Sequence, residues 1–419
     1  MAVLERVMMS RLTVRALSRV NLAGVTLDIA RVRAAYPALN EGFAHFDAAA
    51  GSLVAAPVAE AAHGVYTSAV ANRTDAFEPG RKALRIVEQA REAVADLLGA
   101  QPSGVVFGSS ATSLTYHISQ TLAATWQPGD EVVVSRLDHD ANVRPWVQAA
   151  AAVGATVRWA EFDASGALPV AQYSSLVGER TRVVALTAGS NANGAIPDVA
   201  AVSAIARAHG ALCYVDGVHA TPHVPVDVSA LGADFYVTSA YKWSGPHLAT
   251  CVASPSLWES LRPLKLMPSS DAVPERFELG TPSFASLAAL TAAVDHLASL
   301  VPSVGTRRSQ ILTSMTAVRA YEMSLFAELV SGLASLPRVT LVPAPADSCP
   351  TLSFRVHNQH PAETAKLLGD KGVCVYSGDY YAYEFFSALG LRESGGAVRA
   401  GIYHYTTRDD ITRLLDALA

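Results

Sequence analysis

An acid and an imidazole, Asp216 and His219, follow one short apolar run. A hydroxyl, a phenol and an amine, Ser239, Tyr241 and Lys242, follow the next. The runs, Ala211–Val215 and Phe235–Thr238, have the length of buried strands in a mostly parallel sheet. Ligands in such sheets bind beyond the carboxyl ends of the strands, so the five groups are expected to meet in one crevice. That set suits pyridoxal phosphate. A buried carboxylate keeps the pyridinium nitrogen protonated, a lysine forms a Schiff base, and hydroxyls hold the phosphate. The plainer reading is two strand ends with polar decoration. Two features weigh against it. The chain has only five lysines among 32 basic residues, and arginine cannot replace lysine in a Schiff base. Lys242 also lies between Tyr241 and Trp243, where desolvation favours the neutral amine.

The elements around these residues repeat one theme. Residues 105–253 alternate apolar strand-like runs with helical periodicity, the mark of an α/β sheet with crossover connections. Val105–Phe107 is read as a strand, and Gly108–Ser113 opens a helix. Small hydroxyl residues at a helix N-terminus form an anion site, and a capping role for Ser109 or Ser110 is compatible with that. Glu131–Ser135, Val153–Ala160 and Thr181–Thr187 are expected strands. Val58–Val70, Arg81–Leu98, Val199–His209, Leu287–Leu300 and Ser309–Leu333 are expected helices. Pro337–Val342 and Leu352–Val356 read as strands of a smaller C-terminal domain.

Several motifs carry a family resemblance. Val215-Asp216-Gly217-Val218-His219, Pro225-Val226-Asp227-Val228, Asp234-Phe235-Tyr236-Val237 and Tyr241-Lys242-Trp243-Ser244-Gly245-Pro246-His247 follow one another in order. They resemble the fold-type I, class V aminotransferase group, most closely its cysteine-desulfurase-like members. The resemblance runs from about Phe46 to the C-terminus. It implies a large domain with a mostly parallel seven-stranded sheet plus a smaller α+β C-terminal domain. The expected organisation is an extension over residues 1–28, a large domain over 29–300 with its N-terminal segment contributing to the small domain, and a small domain over 301–419.

The resemblance also implies roles. Lys242 would form the Schiff base and Asp216 would hold the pyridinium charge. Ser110, Ala111 and Thr112 would take the cofactor phosphate, joined by Gly280 and Thr281 reaching across a homodimer interface. His139 would stack on the pyridine ring and Asn191 would bond the ring hydroxyl. His219, Ser239 and Tyr241 would bond phosphate or ring oxygen. Arg399 would hold the substrate carboxylate with two parallel hydrogen bonds. Ala49, in the small-residue loop Phe46–Ser52, would lie over the substrate.

One departure limits the reaction. Cysteine desulfurases carry a mobile-loop cysteine that attacks sulfur. The matching loop here reads Gly378-Asp379-Tyr380-Tyr381-Ala382, without a thiol. Cys374 precedes it in an apparent strand. Tyr380 or Tyr381 is expected to act as a general acid or a pocket wall. The favoured reading is C–S bond cleavage by β-elimination on a cysteine-like α-amino acid. Transamination, decarboxylative carbon–carbon bond formation, epimerisation and a non-catalytic cofactor-binding scaffold remain as alternatives.

Composition excludes other classes. Half of the 419 residues are apolar and 16% are charged, which argues against disorder. A formal charge of −5 implies no nucleic-acid or membrane electrostatics. The four cysteines show no metal-type spacing, so no metal is expected. Cys213 and Cys251 fall in strand-like runs as core thiols, and a cytoplasmic location is expected.

Overall fold

A computed structural model of the chain describes residues 26–419. The expected extension over residues 1–28 therefore lies almost wholly outside the described residues. The large sheet is built from β2 (Val105–Gly108), β3 (Glu131–Ser135), β4 (Thr156–Ala160), β5 (Thr181–Thr187), β6 (Leu212–Asp216), β7 (Phe235–Ser239) and β8 (Ala249–Val252). Its order is β2–β8–β7–β6–β5–β3–β4. Neighbours from β7 to β4 run parallel, and β8 is antiparallel to both β2 and β7. The expected seven-stranded, mostly parallel sheet is thus present.

The sheet is apolar on both faces because helices cover both. Side chains alternate across a strand. Val132 and Val134 enter one core with Leu114, Ile118 and Leu122 of helix Ala111–Ala123 and Trp146 of helix Arg144–Val153. Val133 enters the other, with Val94 of helix Glu78–Leu98 and Leu290 of helix Phe284–Ser299. One expected boundary moves. The strand read over 153–160 begins only at Thr156, because the preceding helix runs to Val153 and stops at Gly154, whose φ of 73° is left-handed. Helix 56–66 likewise ends before Val70.

The C-terminal part forms a four-stranded antiparallel sheet, β12 (Tyr376–Gly378), β13 (Ala397–Gly401), β10 (Thr351–Val356) and β9 (Val339–Leu341), in that order. Its apolar face packs on Leu325, Leu329 and Leu333 of the long helix Arg307–Ser335. A parallel pair joins β1 (Ala44–His45) to β11 (Val373–Cys374). That pairing brings the loop after β1, with Asp47 and Ala49, beside the C-terminal sheet. No helix among the described residues is long and apolar enough to cross a membrane.

Candidate active site

The parallel strands all end on one edge of the large sheet, and the polar residues that follow them meet there. β2 leads to Ser110, β3 to His139, β5 to Asn191, β6 ends at Asp216, and β7 leads through Ser239 to Lys242. They line a cavity of about 510 Å³ and an adjoining recess of about 80 Å³. The recess holds Ser110, Ala111, Asp216, His219 and Ser239. Thr112, His139, Asn191, Tyr241 and Lys242 line both spaces, and Ala49, Tyr381 and Arg399 line the larger one. Of the residues singled out from sequence, only Gly280 and Thr281 lie elsewhere. They are exposed on the loop that follows Glu278. Glu278 is pinned to Arg91 at 2.9 Å and to the Phe107 amide at 3.0 Å, so the loop leaves the body from a fixed point.

Lys242 is 6% exposed, and its Nζ donates to the Ala49 carbonyl oxygen at 2.5 Å. Burial, then the nearby Arg399 cation, lowers its amine to about 7, against the pull of Asp216 and Asp47. A lysine so placed has a substantial neutral, nucleophilic fraction near neutral pH. Asp216 accepts from the Val218 amide at 2.9 Å. Burial pushes its carboxyl above the ordinary value, with Val218 and Lys242 opposing.

His139 sits on a rigid base. Its Nδ1 accepts from the Ala141 amide at 3.0 Å, and burial with the Lys242 and Arg399 cations holds the ring down to about 3, hence neutral. Directly before it, Asp138 is fully buried and accepts from Ser135 Oγ and from Asn142 Nδ2, the latter at 2.7 Å. Asn142 in turn accepts from Trp146 Nε1 at 3.1 Å. Asp138 and Asn142 therefore tie this loop to β3 and to helix Arg144–Val153. Burial raises the Asp138 carboxyl to about 7.

At the helix 111–123 terminus, Ser110 is a capping residue. Its Oγ accepts from the Ser113 amide at 3.0 Å and its own amide donates back to Ser113 Oγ at 3.1 Å. The first-turn amides of Ala111 and Thr112 have no intrahelical acceptor and remain for an anion. Asn191 donates to the Tyr380 carbonyl at 2.9 Å. Tyr241 stacks on His247 at 4.7 Å and carries the Gly51 turn against its ring.

Two residues of this site escaped the sequence reading: Asp47 faces Arg399 at 3.5 Å, and Thr187 ends β5 in the recess. Asp47 stands inside the small-residue loop already singled out, so an acid there was the available signal. Tyr380, expected as an acid or a pocket wall, is buried with its ring 4.7 Å from the Arg399 guanidinium.

The residues fit pyridoxal phosphate. Asn191 Oδ1 and both ring nitrogens of His219 are buried without a hydrogen-bond partner among the described residues. A polar ligand in the recess would satisfy them. The recess supplies an acid, an amine, an imidazole face and helix-terminal amides around one small space.

The model of the family described as aminotransferase class-V matches residues 44–414. The chain belongs to the class V aminotransferase family. It is a pyridoxal-phosphate enzyme of that group. It is similar to an uncharacterized protein of Mycobacterium tuberculosis (strain CDC 1551 / Oshkosh), 35% identical, covering 94% of this chain and 98% of that one. A probable cysteine desulfurase of Pseudomonas aeruginosa is 32% identical, covering 92% and 96%. Among solved structures, the cysteine desulfurase CsdA of Escherichia coli superposes with a TM-score of 0.84 at 28% identity, covering 94% of this chain and 98% of that one. Two tyrosines, Tyr380 and Tyr381, stand in the loop after β12 and line the larger space. None of its four cysteines lines either space.

Proposed function

We propose that this enzyme cleaves a carbon–sulfur bond of a cysteine-like α-amino acid by β-elimination. The observation that carries the reading is the loop 378–382: it brings Tyr380 and Tyr381 to the cavity and no thiol. Sulfur therefore has no protein acceptor and leaves as a thiol or sulfide. Cys213, Cys251 and Cys349 are buried thiols whose pKa burial raises. Cys374 is partly buried in β11, a strand without the reach of a mobile loop.

Pyridoxal phosphate, when bound, supplies an electron-withdrawing ring that stabilises negative charge at the substrate Cα. Asp216 would hold the ring nitrogen, His139 the ring face, Asn191 the ring hydroxyl, and Ala111 and Thr112 the phosphate, with Ser110, His219, Ser239 and Tyr241 around them. Arg399 takes the substrate carboxylate. Lys242 Nζ removes the Cα proton, since its lowered pKa leaves a substantial neutral fraction near neutral pH. The Cβ–S bond then breaks, and the departing sulfur takes a proton, for which the Tyr381 hydroxyl is the donor. With one water, the products are a thiol or sulfide, ammonia and pyruvate. The protein is further inferred to be a homodimer whose Gly280–Thr281 loop completes the neighbour's phosphate site, working in a reducing cytoplasm that keeps its four thiols free.

An amino-acid panel tests this. The loaded enzyme should release pyruvate with sulfide or thiol in equal amounts. Release of a keto acid with amino-group transfer instead makes it an aminotransferase, and carbon dioxide makes it a decarboxylating enzyme. The absence of any product with every amino acid would favour a cofactor-binding scaffold.

A further inference from the structure

Arg399 lies on β13, 3% exposed, between the rings of Tyr380 at 4.7 Å and Tyr376 at 5.8 Å. Its Nη1 donates to the Asn191 carbonyl at 3.2 Å. Its Nη2 is 3.5 Å from Asp47 Oδ1. Arg399 Nε and Asp47 Oδ1 are both buried, and neither has a hydrogen-bond partner among the described residues. The Nε–Nη2 edge is one that takes a carboxylate through two parallel hydrogen bonds. Here a carboxylate of the chain itself lies beside Nη2, close enough to pair in charge while Nε stays unpartnered. The backbone of Asp47 is fixed, since its carbonyl accepts from the Ala50 amide at 2.9 Å and the Gly51 amide at 3.2 Å. Its side chain is 31% exposed, so it has room to turn outward.

We propose that Asp47 is a specificity-setting competitor: it holds Arg399 when no substrate is present, and an incoming carboxylate must displace it. The inference rests on the reading of Arg399 as the carboxylate anchor. Two anions at one guanidinium repel each other in a site screened from water. The substrate is therefore admitted only if its carboxylate makes the two parallel bonds that Asp47 does not. Asp47 gives way by turning to solvent or by taking up a proton.

The second route makes binding depend on pH. Burial raises the Asp47 carboxyl, while Arg399, Lys242 and His45 pull it down; Cys374 and Tyr405 face it as well. Below its pKa, Asp47 is neutral and leaves Arg399 open. Above it, the ionised carboxylate competes. Affinity for a carboxylate therefore falls as pH rises through the Asp47 titration, by up to about tenfold per pH unit for one linked proton.

The test is calorimetric titration of the loaded enzyme with 3-(methylthio)propionate, which has the carboxylate but no amine to react. Asp47→Asn should bind it on the order of tenfold more tightly than wild type above neutrality, with affinity independent of Asp47's titration. Asp47→Glu, with its longer reach to Arg399, should bind it more weakly than wild type. Should Asp47→Asn fail to fold, Asp47→Ser takes its place, and equal or weaker binding by it overturns the proposal. Equal or weaker binding by a folded Asp47→Asn overturns it too. Arg399→Gln separates the two readings. If it binds like wild type, the anchor reading fails and the competition with it. If it loses binding while Asp47→Asn gains none, the anchor stands and only the competition falls.

Discussion

The Tyr381 ring lies over the imidazole of His139, with 5.4 Å between ring centroids and 26° between planes. Its carbonyl accepts from the Asp140 amide at 2.7 Å, and both Tyr380 and Tyr381 hold positive φ, 47° and 60°. Non-glycine residues in this region cost about 1–2 kcal/mol each, so the loop is held there by its contacts. The cofactor ring proposed to stack on His139 would compete with the Tyr381 ring wherever it uses the face that Tyr381 covers. An aromatic contact of about 0.5–1.5 kcal/mol converts to about two- to tenfold. Tyr381→Ala should therefore speed cofactor association with the apoprotein by that factor, read by stopped-flow absorbance. An unchanged rate would mean that the two rings do not compete.

The lowered amine of Lys242 predicts a pH profile. Attack on the cofactor aldehyde needs the neutral amine, and burial has brought its pKa from 10.5 to about 7. The rate of covalent reconstitution should rise about tenfold per pH unit below that value and level off above it. A rise that continues toward the ordinary lysine value contradicts this. Lys242→Ala should leave no borohydride-reducible adduct.

Replacing all four cysteines by Ser or Ala should leave the main reaction largely intact, provided the protein folds. Tyr381→Phe should slow it by up to about a hundredfold, the scale of a lost general acid. A sulfane sulfur found on Cys374 by mass spectrometry, with alkylation of that thiol stopping turnover, would falsify the elimination reading.

The proposed sharing of active sites between subunits gives a mixing test. A Lys242→Ala subunit combined with a Thr281→Ala subunit should regain part of the activity, because one hybrid site keeps both residues. No regain despite proven subunit exchange argues for independent sites.

Glu322 is a carboxylate buried in helix Arg307–Ser335, 2.9 Å from His223 Nδ1, and His223 packs edge-to-face against His219 in the recess. Removing one partner leaves the other buried and unpaired. Glu322→Ala should cost about 3 kcal/mol or more in denaturant unfolding. A loss under about 1 kcal/mol means that water or a rearranged neighbour replaces the carboxylate.

Much of the site was legible along the chain because an α/β sheet turns sequence order into spatial convergence. Each short apolar run marks a strand, and the polar residues after it fall at the same sheet edge. Asp216, His219, Ser239, Tyr241 and Lys242 could thus be assigned to one crevice, and the family resemblance added His139 and Asn191. Strand 156–160 was misread at its start because Val153 is as apolar as the strand itself. Only Gly154, with its left-handed φ, separates helix from strand there.

What the sequence by itself determined are the groups whose chemistry and local position suffice: a scarce lysine, an acid at a strand end, hydroxyls at a helix start, and a loop without a thiol. Only the tertiary structure decided the rest. β1 pairs with β11, hundreds of residues away along the chain, and this carries Asp47 to Arg399. The folding of loop 378–382 lays Tyr381 on His139 and Tyr380 on Arg399. The sequence pointed to a lowered amine at Lys242 from its aromatic neighbours, and the fold adds the Arg399 cation that lowers it further. Such contacts depend on which surfaces meet, and neither periodicity nor motif spacing encodes that.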